Sequence, residues 1–358
     1  MNFLDLFAGI GGFRKGMEMA GHTCVGWVET DPHCSRCKEV TTHMPVYSPG
    51  HEKNYTVCMK CGKQKRQDAR FSYEAIHDTK GEWTAYDITQ VTDEQWRSFR
   101  GTVRAICAGF PCQTFSVASQ ERAGFQDTRG TMFFQIARAV KQIKPRFLFL
   151  ENVKGLLSHE EGKTFAVILS TLDELGYDAE WQMCNSADFG IPQSRERVFI
   201  IGHLRGERRR EVFPIRTAHT KASLKLAGNL NYYNFDASNR VYSPEGLSPT
   251  LSTMQGSNRH PKIIQPILTP NRLKKRQNGR RMKEPGEPMF TLTAQDKHGI
   301  YDGKRVRRLT PKECWRLQGF SDSDFDKAAK VNADSNLYKQ AGNTVTVNVI
   351  YEIAKRLA

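Results

Sequence analysis

Several short apolar runs in this chain have the length of buried strands and end in residues that can bind or react. The runs span residues 3–7, 24–28, 103–108 and 146–150. Strands alternating with helices would produce separations of this size. Because ligands and chemistry gather at the carboxyl ends of strands in open parallel sheets, the residues that follow these runs are the first candidates for function. The pattern predicts an α/β fold with a mostly parallel, doubly wound sheet.

The segment after the third run places a cysteine on a loop. Cys112 stands in Gly-Phe-Pro-Cys-Gln-Thr-Phe-Ser, residues 109–116. Pro111 fixes the backbone immediately before it, which suits a nucleophile that must be aimed. A free cysteine at a strand edge is usually a small apolar core residue. The segment alone therefore leaves both interpretations open.

Charged residues accompany two further apolar runs. Glu151 directly follows residues 146–150, although a single acid in that place is usually a helix cap or part of a solvated turn. Arg195 and Arg197 precede the run 198–202, and strand alternation puts both on one face. Two guanidinium groups that point the same way suit a phosphate or carboxylate. A charged strand edge is the alternative.

The N-terminal turn and two acidic residues suggest an adenosine site. Gly9 and Gly11 lie in a glycine-rich turn between a strand and a helix, which lets a ligand approach the backbone. Glu29 ends the second apolar run and could accept both ribose hydroxyls, and Asp87 ends a further candidate strand. Such a turn alone is shared by many cofactor sites. The four residues together describe a site for an adenosine.

With these residues assembled, the chain resembles the C5-cytosine-specific DNA methyltransferases of bacteria and phages. The ordered motifs are DLFAGIGG (5–12), GFPCQTFS (109–116), ENV (151–153), QSRERVFIIG (193–202), RLTPKECWRLQGF (308–320) and YKQAGNTVTVNVI (338–350). The resemblance implies a Rossmann-like S-adenosylmethionine-dependent methyltransferase domain, 1–202 plus 308–358, and a smaller, mainly β target-recognition domain, 203–307. The periodicity of residues 339–357 predicts a C-terminal helix that returns to the large domain.

The resemblance also implies a mechanism. The family adds a thiolate to C6 of cytosine, so that C5 can take a methyl group from S-adenosylmethionine, leaving S-adenosylhomocysteine. Cys112 would be that thiolate. Glu151 would stabilise charge that develops at N3, and Arg197 would contact O2 with Arg195 in support.

The implied cofactor site extends the four adenosine-site residues. It comprises Phe7, Gly9, Ile10, Gly11, Gly12, Glu29, Thr30, Asp87, Ile88, Pro111, Asn343 and Thr344. Thr30 departs from those relatives that place an aromatic residue there to stack on the adenine.

Double-stranded DNA is the expected partner. The formal net charge of +15 favours a polyanion, and a target base must leave the duplex to be methylated. A polar loop after the nucleophile, with Ser116 and Arg129 on phosphate or sugar, would close behind that base. Two similar segments, 248–255 and 287–295, contain Thr250-Leu251 and Thr291-Leu292. Either pair qualifies as the DNA-reading pair of the recognition domain.

One insertion, residues 34–70, lies outside the family's common pattern. Cys34, Cys37, Cys58 and Cys61 form two CxxC pairs separated by twenty residues, a spacing typical of a zinc ribbon. Unpaired surface cysteines and disulfides are the alternatives, but a catalytic thiol requires a reducing compartment. The remaining cysteines, Cys24, Cys107, Cys184 and Cys314, fall in or beside apolar segments and are predicted to be core.

The sequence therefore predicts a DNA (cytosine-5-)-methyltransferase that acts on one short DNA sequence, in a restriction-modification system with a cognate endonuclease or in phage self-protection. We expect a cytoplasmic monomer, because no apolar run approaches spanning length and the first strand begins directly after Met1. A tRNA cytosine-5 methyltransferase shares the motifs. An inactive DNA-binding relative is a further alternative, which the presence of Cys112, Glu151 and Arg197 disfavours.

Overall fold

The computed structural model describes residues 1–45, 54–111, 132–191, 193–207, 211–215 and 310–357, and the backbone of short strands between 226 and 300. The strands of the central sheet are β1 (Asn2–Leu6), β2 (Thr23–Val28), β8 (Trp83–Ala85), β9 (Ala105–Gly109), β10 (Phe147–Val153), β11 (Tyr177–Asn185) and β12 (Glu196–Leu204). The helices are α1 (Gly12–Met19), α2 (Asp68–Ile76), α3 (Asp93–Arg97), α4 (Met132–Ile143), α5 (Lys163–Glu174), α6 (Pro311–Arg316), α7 (Asp322–Ala329), α8 (Asp334–Asn343) and α9 (Val347–Ala354).

The central sheet is doubly wound. Its described strands lie in the order β11-β12-β10-β9-β1-β2-β8, and β12 alone among them runs antiparallel to its neighbours. The chain builds β1, β2 and β8 in one direction and then returns to place β9 on the other side of β1. The switch point of the topology therefore lies between β1 and β9, where the predicted parallel α/β fold expects its ligands.

Strand alternation divides the core into two layers. Leu4, Ile106 and Leu148 face one side of the sheet and pack with residues of α3, α4 and α5. On the other side, Phe3 and Phe149 pack with α1 and α9. Because both faces are covered by helices, the central strands are apolar throughout, as buried parallel strands require.

The C-terminal segment forms two helices rather than the single helix that its periodicity predicts. Helix α8 ends at Asn343, the backbone is extended at Thr344 (φ −74°, ψ 159°), and α9 begins at Val347. The apolar spacing continues across the break, because Val345 and Val349 pack into the same layer of core. The interruption leaves carbonyl groups without a helical partner, and Arg195 donates hydrogen bonds to those of Gly342 and Thr344.

The inserted residues follow β2 in the chain and form small strands in two separate sheets. These are β3 (His33–Cys34), β4 (Glu39–Val40), β5 (His43–Pro45), β6 (Tyr55–Cys58) and β7 (Gln64–Arg66), and we call residues 33–67 the cysteine ribbon. Helix α2 begins at Asp68, so residues 68–70 of the predicted insertion belong to this helix. Arg70, 1% exposed, packs its guanidinium over the ring of Trp27 at 4.1 Å and is part of the core.

Between residues 226 and 300 the described backbone forms only strands. They are β13 (Leu226–Asn229), β14 (Arg240–Tyr242), β15 (Lys262–Ile263), β16 (Pro266–Leu268) and β17 (His298–Ile300), which pair in two small sheets. This agrees with the predicted mainly β character of the region. In the part of the chain that is described, no helix combines the length and apolarity needed to cross a bilayer.

The contact between α1 and α9 gives a test of the packing. A Cβ on Gly16 would lie 2.6 Å from Cβ of Ile350 and 2.9 Å from the backbone nitrogen of Tyr351. Although alanine favours a helix over glycine by about 1 kcal/mol, we expect Gly16→Ala to lower the free energy of unfolding by about 1–3 kcal/mol because α9 must shift. Urea denaturation measures this.

Gly155→Ala is the matched control, since nothing lies within 4 Å of a Cβ at that position. Equal stabilities for the two variants would show that α1 and α9 are not packed as described.

Candidate active site

Four candidate segments meet at the carboxyl edge of the sheet. The glycine turn follows β1, Glu29 follows β2, and the segment that leads to Cys112 follows β9. Glu151 lies near the end of β10, where it is paired in register with Gly109 of β9. The switch point therefore brings together elements that lie far apart in the sequence.

Glu151 and Arg197 form an ion pair at this edge. Arg197 Nε lies 3.1 Å from Glu151 Oε1, and both side chains are largely buried. Burial raises the pKa of Glu151, while the neighbouring Arg197 and Arg195 oppose the shift. Gly109 leaves the space that this carboxyl occupies, because a Cβ there would lie 3.3 Å from Glu151 Oε2. The site thus holds a carboxyl that keeps its proton more readily than an exposed acid.

Arg195 connects the segment before β12 to the C-terminal segment. Its side chain is 3% exposed, and Nη2 donates to the carbonyl oxygens of Gly342 at 3.1 Å and Thr344 at 2.9 Å. Burial and the proximity of Arg197 lower its pKa to about 9. Since its donors reach the break between α8 and α9, Arg195 lies behind the site while Arg197 faces Glu151.

Asn152 is a site residue that the sequence analysis did not single out. Its Nδ2 donates to the carbonyl oxygen of Phe110 at 2.9 Å, and the side chain is 1% exposed. The bond holds the backbone two residues before Cys112 against β10. The position of Asn152 directly after Glu151, in a run that is otherwise apolar, is the signal that could have revealed it.

The glycines of the N-terminal turn have different roles. Gly9 has a φ of +58° and open space where a Cβ would be. At Gly11 (φ +84°) a Cβ would lie 2.1 Å from His77 Nε2, and at Gly12 it would lie 2.5 Å from Thr344 Oγ1. Only Gly9 leaves room for a ligand, whereas Gly11 and Gly12 permit close packing inside the protein.

His77 packs beneath the glycine turn. No sequence pattern identifies it as a site residue. Its Nε2 lies 3.2 Å from the carbonyl oxygen of Ile10, so the ring donates there. Burial lowers the pKa of His77 to about 3, which keeps the ring neutral. Tyr73 on the same helix stacks on Trp27 with ring centroids 4.2 Å apart and donates its hydroxyl to Asp5.

Glu29 faces the glycine turn. The backbone N–H of Gly9 donates to Glu29 Oε2 at 2.8 Å. Burial raises the pKa of Glu29 to about 7, although the Gly9 N–H and Arg70 oppose the shift. The hydroxyl of the adjacent Thr30 is buried and has no hydrogen-bond partner among the residues that the structure describes. A polar atom of this kind fits a ligand that supplies the missing partner.

The other predicted cofactor residues occupy the same edge. Asp87 caps the 3-10 turn after β8 by accepting from the N–H of Thr89, and Ile88 is buried beneath. Pro111 and Asn343 are exposed, and Thr344 is buried. Phe7 has a φ of 56° and lies partly buried at the start of the turn, and Ile10 is fully buried.

The four ribbon cysteines converge as their spacing predicts. Their sulfur atoms all lie within 4.8 Å of one another, with 3.6 Å between Cys34 and Cys61 and 3.9 Å between Cys37 and Cys58. Tetrahedral zinc with bonds near 2.3 Å sets sulfur atoms about 3.8 Å apart. The eight cysteines in the described ranges are all free thiols, and Cys24, Cys107, Cys184 and Cys314 are buried as predicted.

Several predicted residues lie outside the described residues. They are Cys112, Ser116, Arg129, Thr250, Leu251, Thr291 and Leu292. Their roles remain predictions.

The doubly wound sheet, with the glycine turn at its switch point and the acid–arginine pair on the neighbouring strands β10 and β12, is the architecture of an α/β enzyme, and its fold is that of a methyltransferase. The crystal structure of S. pombe Dnmt2 methyltransferase superposes with a TM-score of 0.59 at 17% identity, covering 100% of this chain and 98% of that one. The sequence model of the C-5 cytosine-specific DNA methylase family matches residues 1–41 and 50–358. The chain belongs to this family, which confirms the predicted DNA cytosine-5 methyltransferase.

Named relatives share most of their length with this chain. Orphan methyltransferase M.SPBetaI of Bacillus phage SPbeta is 34% identical over 397 aligned residues, covering 80% of this chain and 88% of the relative. Type II methyltransferase M.HhaI of Haemophilus parahaemolyticus is 32% identical over 367 residues, covering 99% and 93%. The gap in the family match, residues 42–49, falls within the cysteine ribbon.

The raised pKa of Glu29 gives a pH-dependent prediction. The folded state holds this proton more tightly than the unfolded chain, so the wild-type carboxyl lowers stability as the pH rises from about 4.5 to about 7. Glu29→Gln cannot ionise and can still accept from Gly9. We expect it to equal the wild type near pH 4.5 and to exceed it by up to about 3 kcal/mol at pH 8. Urea unfolding of the ligand-free proteins at both pH values measures this. The same difference at both would contradict the shift.

Proposed function

We propose that this chain methylates C5 of a cytosine within one short sequence of double-stranded DNA, with Cys112 as nucleophile and Glu151 as the acid at N3. The observation that carries the proposal is the largely buried Glu151–Arg197 pair, 3.1 Å apart, beside the β9 segment that leads to Cys112. S-adenosylmethionine, when bound, supplies the methyl group.

Glu151 would control the charge on the base. When the thiolate of Cys112 bonds to C6, electron density moves toward N3 and O2. Burial makes this carboxyl easier to protonate than an exposed acid, so Glu151 would give a proton to N3 as this charge develops. After methyl transfer, loss of the C5 proton to solvent, return of the N3 proton to Glu151 and cleavage of the S–C6 bond would restore the ring and the thiolate. Arg197 would contact O2.

Positioning would come from Asn152 and Arg195. The bond from Asn152 to the carbonyl of Phe110 holds the backbone at Phe110 against β10, close to Glu151 in the chain, and so would help to aim the nucleophile that follows. Arg195 holds the C-terminal segment behind Arg197. Neither residue needs to touch the base to affect the rate.

The glycine-turn edge fits S-adenosylmethionine. The open backbone at Gly9, the carboxyl of Glu29 and the unpartnered hydroxyl of Thr30 surround one place, with Asp87 and Ile88 on the next strand end. Glu29 would accept the ribose hydroxyls, and Asp87 would lie near the adenine. The turn would receive the amino-acid end of the cofactor, together with Asn343 and Thr344.

DNA recognition is proposed for the 203–307 region, with Thr250-Leu251 or Thr291-Leu292 as the reading pair and Ser116 and Arg129 on the backbone. The relatives include proteins named as orphan and as type II methyltransferases. The biological role we propose is accordingly modification in a restriction-modification system or self-protection of a phage genome.

The cysteine ribbon is proposed to hold one structural zinc ion through Cys34, Cys37, Cys58 and Cys61. The separations of the thiols fit a tetrahedral ion, and four protein ligands leave no open position for catalysis. Strands of two to four residues have little core of their own. A metal would supply the stability that they lack.

Bisulfite sequencing of DNA from a methylation-free host that expresses the wild-type protein tests the function. We expect methylcytosine in one short motif, and none with Cys112→Ser, which should still bind that DNA.

For Glu151→Gln, which cannot give a proton to N3, we expect kcat to fall by about 100- to 1,000-fold with DNA affinity retained.

Glu196→Gln is the matched control for Glu151→Gln, because Glu196 is exposed and pairs with Lys154. Normal turnover by Cys112→Ser would overturn the mechanism. Active protein that methylates tRNA and leaves DNA unmodified would overturn the proposed substrate.

Metal analysis tests the ribbon. We expect about one zinc per chain in wild-type protein purified under reducing conditions, because all four thiolates are within reach of one ion. Cys61→Ser should lose most of it, whereas Ser35→Ala, a change between Cys34 and Cys37 that removes no thiol, should keep it. Equal zinc in the two variants would contradict the assignment of ligands.

A further inference from the structure

One carboxylate joins the cysteine ribbon to the cofactor edge. Asp31 lies two residues after Glu29, and its Oδ1 is 2.8 Å from Lys65 Nζ of ribbon strand β7. Its Oδ2 accepts from Lys339 Nζ of α8, also at 2.8 Å. Burial opposes ionisation, yet these two lysines lower the pKa of Asp31 to about 2. The carboxylate is thus charged at every ordinary pH and bridges three elements.

The backbone next to Glu29 is held by further bonds. The N–H of Asp31 donates to Gln67 Oε1 at 2.7 Å, at the end of the ribbon. Arg70 donates to the carbonyl oxygen of Glu29 at 3.1 Å and, through Nε, to Asn54 Oδ1 at 2.9 Å. Both the ribbon and the helix that follows it therefore fix the loop that carries Glu29.

The cysteines determine where Lys65 lies. Lys65 pairs with Thr56 in the β6–β7 hairpin, in which Cys58 ends β6 and Cys61 lies in the turn. The N–H of Cys58 donates to the carbonyl oxygen of Lys63 at 2.9 Å. With β5, these strands form a sheet of only three short strands, so ligation of Cys58 and Cys61 would decide whether Lys65 reaches Asp31.

We propose that the cysteine ribbon is a positioning element for the cofactor site, so that metal on the four thiols raises the affinity for S-adenosylmethionine through the Lys65–Asp31–Lys339 bridge. The inference rests on the zinc and cofactor sites of the proposed function. Asp31, Lys65 and Lys339 act through Glu29 and are positioning residues. Because coupling is reciprocal, bound cofactor also raises the affinity for zinc by the same factor.

Isothermal titration of the full-length protein with S-adenosylmethionine, zinc-loaded and after removal of zinc by a chelator under reducing conditions, tests the coupling. We expect zinc removal to weaken binding at least about 5-fold in the wild type, the lower range of typical couplings. Lys65→Met should bind zinc and cofactor but show less than about 2-fold coupling. Lys63→Met is the matched control, because Lys63 donates to Ser35 within the ribbon and should preserve the wild-type coupling.

If the zinc-free protein does not stay folded, a second measurement on the zinc-loaded protein tests the same coupling. At equilibrium, the share of zinc that a coloured chelator of similar affinity removes from the loaded protein should fall when S-adenosylmethionine is added to the wild type or Lys63→Met, and should not change in Lys65→Met. Zinc and cofactor binding without mutual effect would overturn this inference while leaving the proposed function intact. A wild-type protein that binds no zinc overturns it together with the metal assignment, and one that binds no S-adenosylmethionine overturns it together with the cofactor assignment.

Discussion

The arrangement of the site depends on the hydrogen bonds that the buried guanidinium of Arg195 donates. It closes the sheet against the C-terminal segment by donating to the carbonyl groups of Gly342 and Thr344, about 150 residues further along the chain. A charged group this deeply buried is costly unless its donors are used, and the break between α8 and α9 supplies the carbonyl groups. The same break lets Thr344 approach Gly12 in the glycine turn. One contact thus links the arginine strand, the C-terminus and the cofactor edge.

The acids at the carboxyl edge share a physical character. Glu29 and Glu151 are both buried enough for their pKa values to rise, and each lies next to a glycine, Gly9 or Gly109. A folded protein gains no stability from such groups, because holding a carboxyl in a dry site costs free energy. Acids in such surroundings are typical of functional sites, which supports the roles in binding and chemistry that we propose for both. Asp31, two residues from Glu29, has the opposite shift because two lysines bind it.

Much of this edge could be predicted from the sequence because strand ends are marked by abrupt changes in polarity. The apolar runs identified the parallel strands, and the residues after them, Glu29 and Glu151, lie where the topology requires. The CxxC spacing likewise predicted the convergence of four thiols. What escaped prediction depends on contacts between distant segments. His77 beneath Ile10, Asn152 on Phe110 and the break after Asn343 are set by packing partners that no local pattern records. The beginning of α2 at Asp68 escaped for the same reason, since Arg70 is buried by Trp27 and Tyr86.

The cysteine ribbon shows how an insertion can become part of a site without contributing a residue to the chemistry. It enters after β2, directly beyond Glu29, and returns at α2, whose Tyr73 and His77 underlie the glycine turn. An insertion at this position must either leave the loop around Glu29 undisturbed or hold it. The bonds from Lys65, Gln67 and Arg70 show that it holds the loop. The described residues of the ribbon bury few apolar side chains, so we expect its rigidity to come from its cysteines and from the contacts it makes with the domain. Stability of the ribbon and order of the cofactor edge are consequently properties of one connected set of bonds.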